Sequence, residues 1–150
     1  YRVARSARKP ACSSGFADII FGLDGELFFG ATAALKQHFE EIESHVTDRT
    51  QVIVLRLKRS RNPDAVALSM LEHFLELMKA RDVLVLLSGV RPELYNVLEN
   101  TGMIDRIGEQ VFREEGVRQT STMRAIQYAY SIIPEPCLDC PRNRVEATVK

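Results

Sequence analysis

The fold is decided by residues 83–98, VLVLLSGVRPELYNVL. The first five residues are all apolar, without the alternation of a half-exposed strand, which is typical of a strand covered on both faces. Ser88-Gly89 predicts a turn after this strand, and Pro92 stands where proline favours the first turn of a helix. The following apolar residues, Leu94, Val97 and Leu98, have helical spacing. The stretch therefore predicts a buried parallel strand, a tight loop and a helix.

The same pattern occurs once more upstream. Residues 52–55, VIVL, form a second continuous apolar run. After a basic loop, Asn62 or Asp64 can cap a helix, and Pro63 suits its first turn. That helix is expected to end near Ala80, and its buried stripe consists of Ala67, Leu71, Phe74 and Met78.

Both ends of the chain add further elements. Residues 19–21 and 27–29 are short apolar runs separated by Leu23-Asp24-Gly25, which predicts a hairpin or a bulged strand pair, antiparallel, at one side of the sheet. An amphipathic helix follows over residues 31–42. Towards the other end, the apolar residues of 104–112 indicate an edge strand or a loop. A last helix with hydroxyl caps at 120–122 then carries Met123, Ile126, Tyr130 and Ile133 and is terminated by Pro134.

Strands that alternate with helices predict an α/β fold with a mostly parallel central sheet. We expect about four to five strands and about four α-helices in a single domain over residues 17–133. Residues 1–16 are basic and aperiodic, which favours a linker or a first edge strand, and residues 134–150 are expected to be a flexible C-terminal tail.

Composition limits the classes of function. In 150 residues with 45% hydrophobic side chains there is material for one core, and 20 basic residues balance 20 acidic ones, which argues against nucleic acid as a partner. The sequence has no apolar run of membrane-spanning length and no secretory signal, and it opens on Tyr1, so we expect a domain of a longer protein. Three cysteines do not make a disulfide framework, which favours a cytoplasmic location.

Two loops that lead into helices are candidate binding sites. At Asp64, Ala65 and Val66, free backbone N–H groups of a helix start could bind a phosphate, a nucleotide or a transported anion; the alternative is an ordinary capped helix. At Ser88, Gly89 and Arg91, a loop would follow the carboxyl end of a parallel strand, where open α/β sheets bind ligands or partners. This second loop is the favoured contact point, and a purely structural turn is its alternative.

The sequence offers no obvious basis for catalysis, a cofactor or a metal. His38, His45 and His73 are scattered over two predicted helices and are interpreted as surface residues. The pair Cys137 and Cys140 supplies only half of a zinc site. The phosphate-binding loops and the nucleophile elbow that mark common enzyme classes do not occur. We therefore expect a protein that binds and does not catalyse.

Three stretches resemble the STAS domain, which SulP anion transporters carry in their cytoplasmic tails and which bacterial anti-sigma-factor antagonists share. They are Asp24-Gly25-Glu26-Leu27-Phe28-Phe29-Gly30-Ala31, residues 63–68 (PDAVAL), and residues 86–94 (LLSGVRPEL) with 98–105 (LENTGMID). The first and third are similar to the transporter branch. The resemblance covers about three quarters of the chain.

The resemblance implies attachment behind a membrane domain and regulation of anion transport, with sulfate or bicarbonate as the cargo. It implies as partners the membrane domain of the same transporter, a second copy of the chain or a cytoplasmic regulatory protein. Phosphorylation-switched relatives carry a hydroxyl where this chain has Val66, so the usual switch is expected to be absent. Two alternatives remain open, namely a stand-alone anti-sigma-factor antagonist and a nucleotide-binding domain.

Overall fold

The computed structural model of the chain describes residues 18–22, 32–57, 63–107, 110–114 and 120–133. Strands and helices alternate along it. In chain order they are β1 (Asp18–Gly22), α1 (Thr32–His45), β2 (Thr50–Arg56), α2 (Ala65–Ala80), β3 (Leu84–Val90), α3 (Pro92–Asn100), α4 (Met103–Ile107), β4 (Val111–Arg113) and α5 (Thr120–Ile132). The second run of the predicted hairpin, residues 1–16 and residues 134–150 lie outside the described part.

The four described strands form one sheet in the order β1-β2-β3-β4, and every neighbouring pair is parallel. Val52 of β2 lies between Ile19 of β1 and Leu84 of β3. The predicted α/β class and the parallel sheet are therefore confirmed. The described residues contain five helices, because residues 103–107, expected to be strand or loop, form the short helix α4.

The sheet has helices on both faces, which explains the continuous apolar runs of β2 and β3. One face of the sheet packs on α1 to α4, and Ile53, Leu55, Val85 and Leu87 point into that core. The opposite face packs on α5 through Val52, Val54 and Leu86. Residues 52–55 of β2 and 85–87 of β3 therefore all lie in one of the two cores, which explains why they are all apolar.

The contact between α5 and the sheet is made mainly by small side chains. The fully buried side chains of this helix are Ser121, Ala125 and Ala129, spaced four residues apart, with Ile133 buried just after its end. Met123, Ile126 and Tyr130 are only half-buried. The small side chains of Ser121, Ala125 and Ala129 thus allow the α5 backbone to approach the strands closely.

The end of β3 also departs from the prediction. Ser88 and Gly89, expected to form a turn, belong to the strand, which continues to Val90. The pairing of β3 with β4 shifts register between Ser88 and Val90, and Gly89 has a φ of 69°, the left-handed region that glycine tolerates best. A bulge that requires glycine therefore replaces the predicted turn.

Candidate functional site

The start of α2 is a capped helix end at the surface. Asp64 has extended backbone angles, and its carboxylate accepts a hydrogen bond from the Ala67 N–H at 2.7 Å. Of the two predicted cap residues, the structure therefore selects Asp64, and Pro63 precedes the cap. The carboxylate satisfies one of the free N–H groups and places a negative charge at this end, which disfavours an anion there.

Val66, in the first turn of α2, is the more exposed of the two large apolar residues that lie at the surface of the described part. Its side chain is 51% exposed, and its neighbour Ala65 is exposed as well. Met70 and Leu77 follow at helical spacing and are partly buried against the core. Val66, Met70 and Leu77 form an apolar line beside the buried face of α2. Another molecule can contact this line at Val66.

The other predicted loop is buried. Ser88 is 0% exposed, and the buried Gly89 donates its backbone N–H to the Ser121 hydroxyl on α5 at 3.1 Å. The Ser88 hydroxyl donates to the Leu55 carbonyl at 3.4 Å and lies 3.5 Å from the Thr122 hydroxyl. The contacts with Ser121 and Thr122 hold α5 against the bulge in β3. Ser88 and Gly89 therefore already have hydrogen-bond partners within the domain.

Sequence reasoning assigned the hydroxyls of residues 120–122 to helix capping and missed this contact. The available signal was a glycine after a continuous strand together with small residues at four-residue spacing, Ser121, Ala125 and Ala129. A glycine in a strand often marks a place where another backbone approaches closely.

Arg91 is the member of the second loop that reaches the surface. It is half-buried and occupies the N-cap position of α3 without a side-chain capping bond, and Pro92 begins the helix as predicted. Asp64, Ala65, Val66 and Arg91 thus lie at helix starts on the carboxyl edge of the sheet, whereas Ser88 and Gly89 belong to β3 itself. That these residues bind an anion or a partner stays a prediction.

His38 is not a surface residue, contrary to the prediction. Its side chain is 4% exposed, next in the sequence to Phe39, whose ring stacks on Phe74 of α2 at 4.6 Å. Burial lowers the pKa of His38 below its ordinary value, and the negative charge of Glu41 opposes this shift in part. His38 is therefore a neutral core residue at pH 7 and not a surface acid or base. His45 is half-buried and His73 is exposed.

Within the described part of the chain, no helix is long and apolar enough to cross a bilayer. The same residues contain no cluster of three or more histidine, cysteine, aspartate or glutamate side chains arranged to hold a metal ion. Cys137 and Cys140 lie outside the described residues, so their role stays a prediction.

Comparison with known families decides the relationship. A family model, the STAS domain, matches residues 11–117. The chain belongs to the STAS domain family. Among curated proteins, no significant match is found.

Solved structures agree with this STAS assignment. A sulfate transporter family protein from Wolinella succinogenes is 29% identical with a TM-score of 0.57, over 77% of this chain and 84% of that chain. The STAS domain of a SulP transporter from Vibrio cholerae is 23% identical, also with a TM-score of 0.57, over 75% of this chain and 83% of that chain. The predicted resemblance is thereby confirmed, and this STAS domain is similar to those of SulP transporters.

Proposed function

We propose that this STAS domain is the cytoplasmic regulatory domain of a SulP-type transporter of sulfate or bicarbonate. It acts by binding and not by catalysis. Its primary partner is the membrane domain of the same transporter, and a second copy or a cytoplasmic protein can occupy the same surface.

The likeness to a sulfate transporter family protein supports this proposal. The identity is 29%, and the similarity covers 77% of this chain and 84% of the solved chain. The stretches Leu27-Phe28-Phe29-Gly30 and residues 86–94 point to the same branch of the family.

The observation that carries the mode of action is the exposure of Val66. The Val66 side chain is 51% exposed in the first helical turn, so its burial by a partner lowers the free energy of the complex. It has no oxygen that could accept a phosphoryl group. A surface that is apolar at this position is suited to lasting contact and not to a phosphorylation switch of the antagonist type.

The proposal is tested by finding the native polypeptide. An antiserum raised against the purified domain is applied to membrane and soluble fractions of the source cells, after an alkaline wash that removes peripheral proteins. A transporter domain predicts a band in the washed membranes, far heavier than the 17.0 kDa of this chain. A soluble band near 17 kDa would instead support a stand-alone antagonist and refute the proposal.

A further inference from the structure

A groove lies at the end of the domain opposite the start of α2. It has a volume of about 590 Å³ and is enclosed by the second half of α2, the beginning of β3 and the helix α4. Its apolar lining comes from all three elements, through Leu75 of α2, Val85 of β3, and Met103 and Ile107 of α4. It is therefore separate from the surface around Val66, which lies at the carboxyl edge of the sheet.

The rim of the groove is acidic. Its charged side chains are Glu72, Glu76, Lys79, Asp82, Asp105 and Arg106. Arg106 on α4 forms an ion pair with Glu72 on α2, so these two charges neutralise each other. The remaining charges are three carboxylates, on Glu76, Asp82 and Asp105, and the single ammonium group of Lys79. All four residues are exposed. An apolar groove with more carboxylates than ammonium groups on its rim suits a cationic segment.

The chain itself contains such a segment. Arg2, Arg5, Arg8 and Lys9 carry four positive charges, and residues 1–17 include no aspartate or glutamate. Small apolar residues, Val3, Ala4 and Ala7, separate these cations and suit an apolar lining. This basic segment lies outside residues 11–117, the part that matches the family model.

The topology brings this segment to the correct edge of the sheet. Because all described strands are parallel, the chain enters β1 at Asp18 on the same edge at which β3 begins. Two strand spacings, about 10 Å, separate β1 from β3. The nine residues from Pro10 to Asp18 can span up to about 30 Å, which is enough to reach the groove.

We propose that residues 2–9 dock in the groove between α2, β3 and α4 of their own chain, with their cations facing Glu76, Asp82 and Asp105. The docking concerns this domain alone. Its consequence for transport rests on the proposed function, under which the bound segment would fix the domain relative to the chain that precedes it.

Zero-length cross-linking tests the proposal on the intact 150-residue chain. A carbodiimide joins the Lys9 amine to a neighbouring carboxylate as an amide, and the carbodiimide takes up the water as a urea. Peptide mass spectrometry is expected to find Lys9 joined to Glu76, Asp82 or Asp105. The products should be lost in 1 M salt, where the Debye length is about 3 Å. Links from Lys9 only to carboxylates outside the groove, or none at all, would overturn the proposal.

Matched variants separate docking from chance proximity. The double variant Glu76→Gln, Asp105→Asn should lose most of the groove products, whereas Glu93→Gln, an exposed change at the start of α3, should keep them. A mixture of unlabelled and ¹⁵N-labelled chains should give products of unmixed mass. Mixed products would mean that the segment binds a second copy, which contradicts docking within one chain.

Amide spectra supply a second measurement that does not depend on cross-linking chemistry. Deletion of residues 1–9 should shift the amide signals of Glu76, Asp82 and Asp105 and leave those of Ala65 and Val66 in place. Unchanged groove signals would refute the proposal even if cross-links form. Neither experiment involves a membrane, so the proposed function can fail in cell fractionation while this docking holds, and the reverse is equally possible.

Discussion

The start of α2, which follows β2, and the end of the neighbouring strand β3 lie at the same edge of the sheet, yet they have opposite environments. Val66 on α2 is 51% exposed, whereas Ser88 in β3 is 0% exposed. The difference arises from the second helical layer. On the face opposite α2, the small residues of α5 approach β3 and supply hydroxyls to its bulge, and this contact covers the strand end.

A position at the carboxyl edge of the sheet does not by itself make a binding site. Open α/β sheets often bind ligands at this edge, but the residues there must also be free of internal contacts. Gly89 uses its N–H on Ser121, while Val66 has an exposed side chain. The end of β3 therefore has a structural role, and the start of α2 is where we propose that a partner binds.

The largest expected effect comes from a side chain at Gly89. In Gly89→Val, the left-handed φ and the buried position should together lower the free energy of unfolding by about 3 kcal/mol. Urea denaturation followed by circular dichroism measures this. Gly102→Ala is the control: Gly102 has the same φ of 69° but open space where a Cβ would lie, so it should lose only about 1–2 kcal/mol. Equal losses would mean that the end of β3 is not closely packed.

Removal of the hydroxyl that Gly89 uses should have the next largest effect. Ser121→Ala leaves a buried N–H without its acceptor, which should lower the free energy of unfolding by about 2 kcal/mol. Ser131→Ala makes the same chemical change at an exposed position of α5 and should cost far less. If both variants unfold at the same urea concentration, α5 does not stabilise the bulge.

At the start of α2 the expected change is smaller. Asp64→Ala removes the N-cap and should lower the free energy of unfolding by about 1 kcal/mol, whereas Asp64→Ser keeps a capping oxygen and should retain most of the stability. Thermal unfolding of the three proteins measures the order. If Asp64→Ala lost as much free energy of unfolding as Ser121→Ala, the start of α2 would be as important for stability as the end of β3.

The smallest expected effect is a pH dependence of the free energy of unfolding that arises from His38 in α1. Burial lowers the pKa of His38 below 6.5, so the unfolded chain binds a proton more readily. The free energy of unfolding should therefore fall as the pH drops from above 6.5 towards the folded-state pKa, with no contribution above that range. Urea unfolding at pH 7.5 and 5.5 should show a smaller difference in His38→Leu than in the unaltered chain. His73→Gln, at an exposed site, should keep the full difference, and its loss there would contradict the account.

The sequence was sufficient to predict the fold but not the second layer in detail. Continuous apolar runs such as residues 52–55 have few alternatives to a buried parallel strand, and the stripe from Ala67 to Met78 leaves little choice of helix face. The four-residue spacing of Ala125 and Ala129 is a weaker signal, since alanine suits a core and a surface equally. His38 was misplaced for a related reason: a neutral imidazole can enter a core, and residue type alone does not tell which of three histidines does so.

The candidate site was predictable only in part. The cap at Asp64 follows from local chemistry, and a hydrogen bond from the Ala67 N–H confirms it. The burial of Ser88 and Gly89 depends on Ser121 and Thr122, more than 30 residues away along the chain. Long-range contacts of this kind have no local pattern, so the sequence could place both loops at one edge without telling which of them is open.

The central claim is that the domain regulates transport through the exposed end of α2. Its most direct test is uptake of labelled sulfate and bicarbonate by source cells that carry Val66→Glu, compared with Ala80→Lys at the other end of α2. Each substitution adds a charge that suits its end of the helix, so both proteins should fold and reach equal amounts. The account predicts that uptake of one of these anions changes in Val66→Glu and not in Ala80→Lys. Unchanged uptake of both anions in Val66→Glu would contradict it.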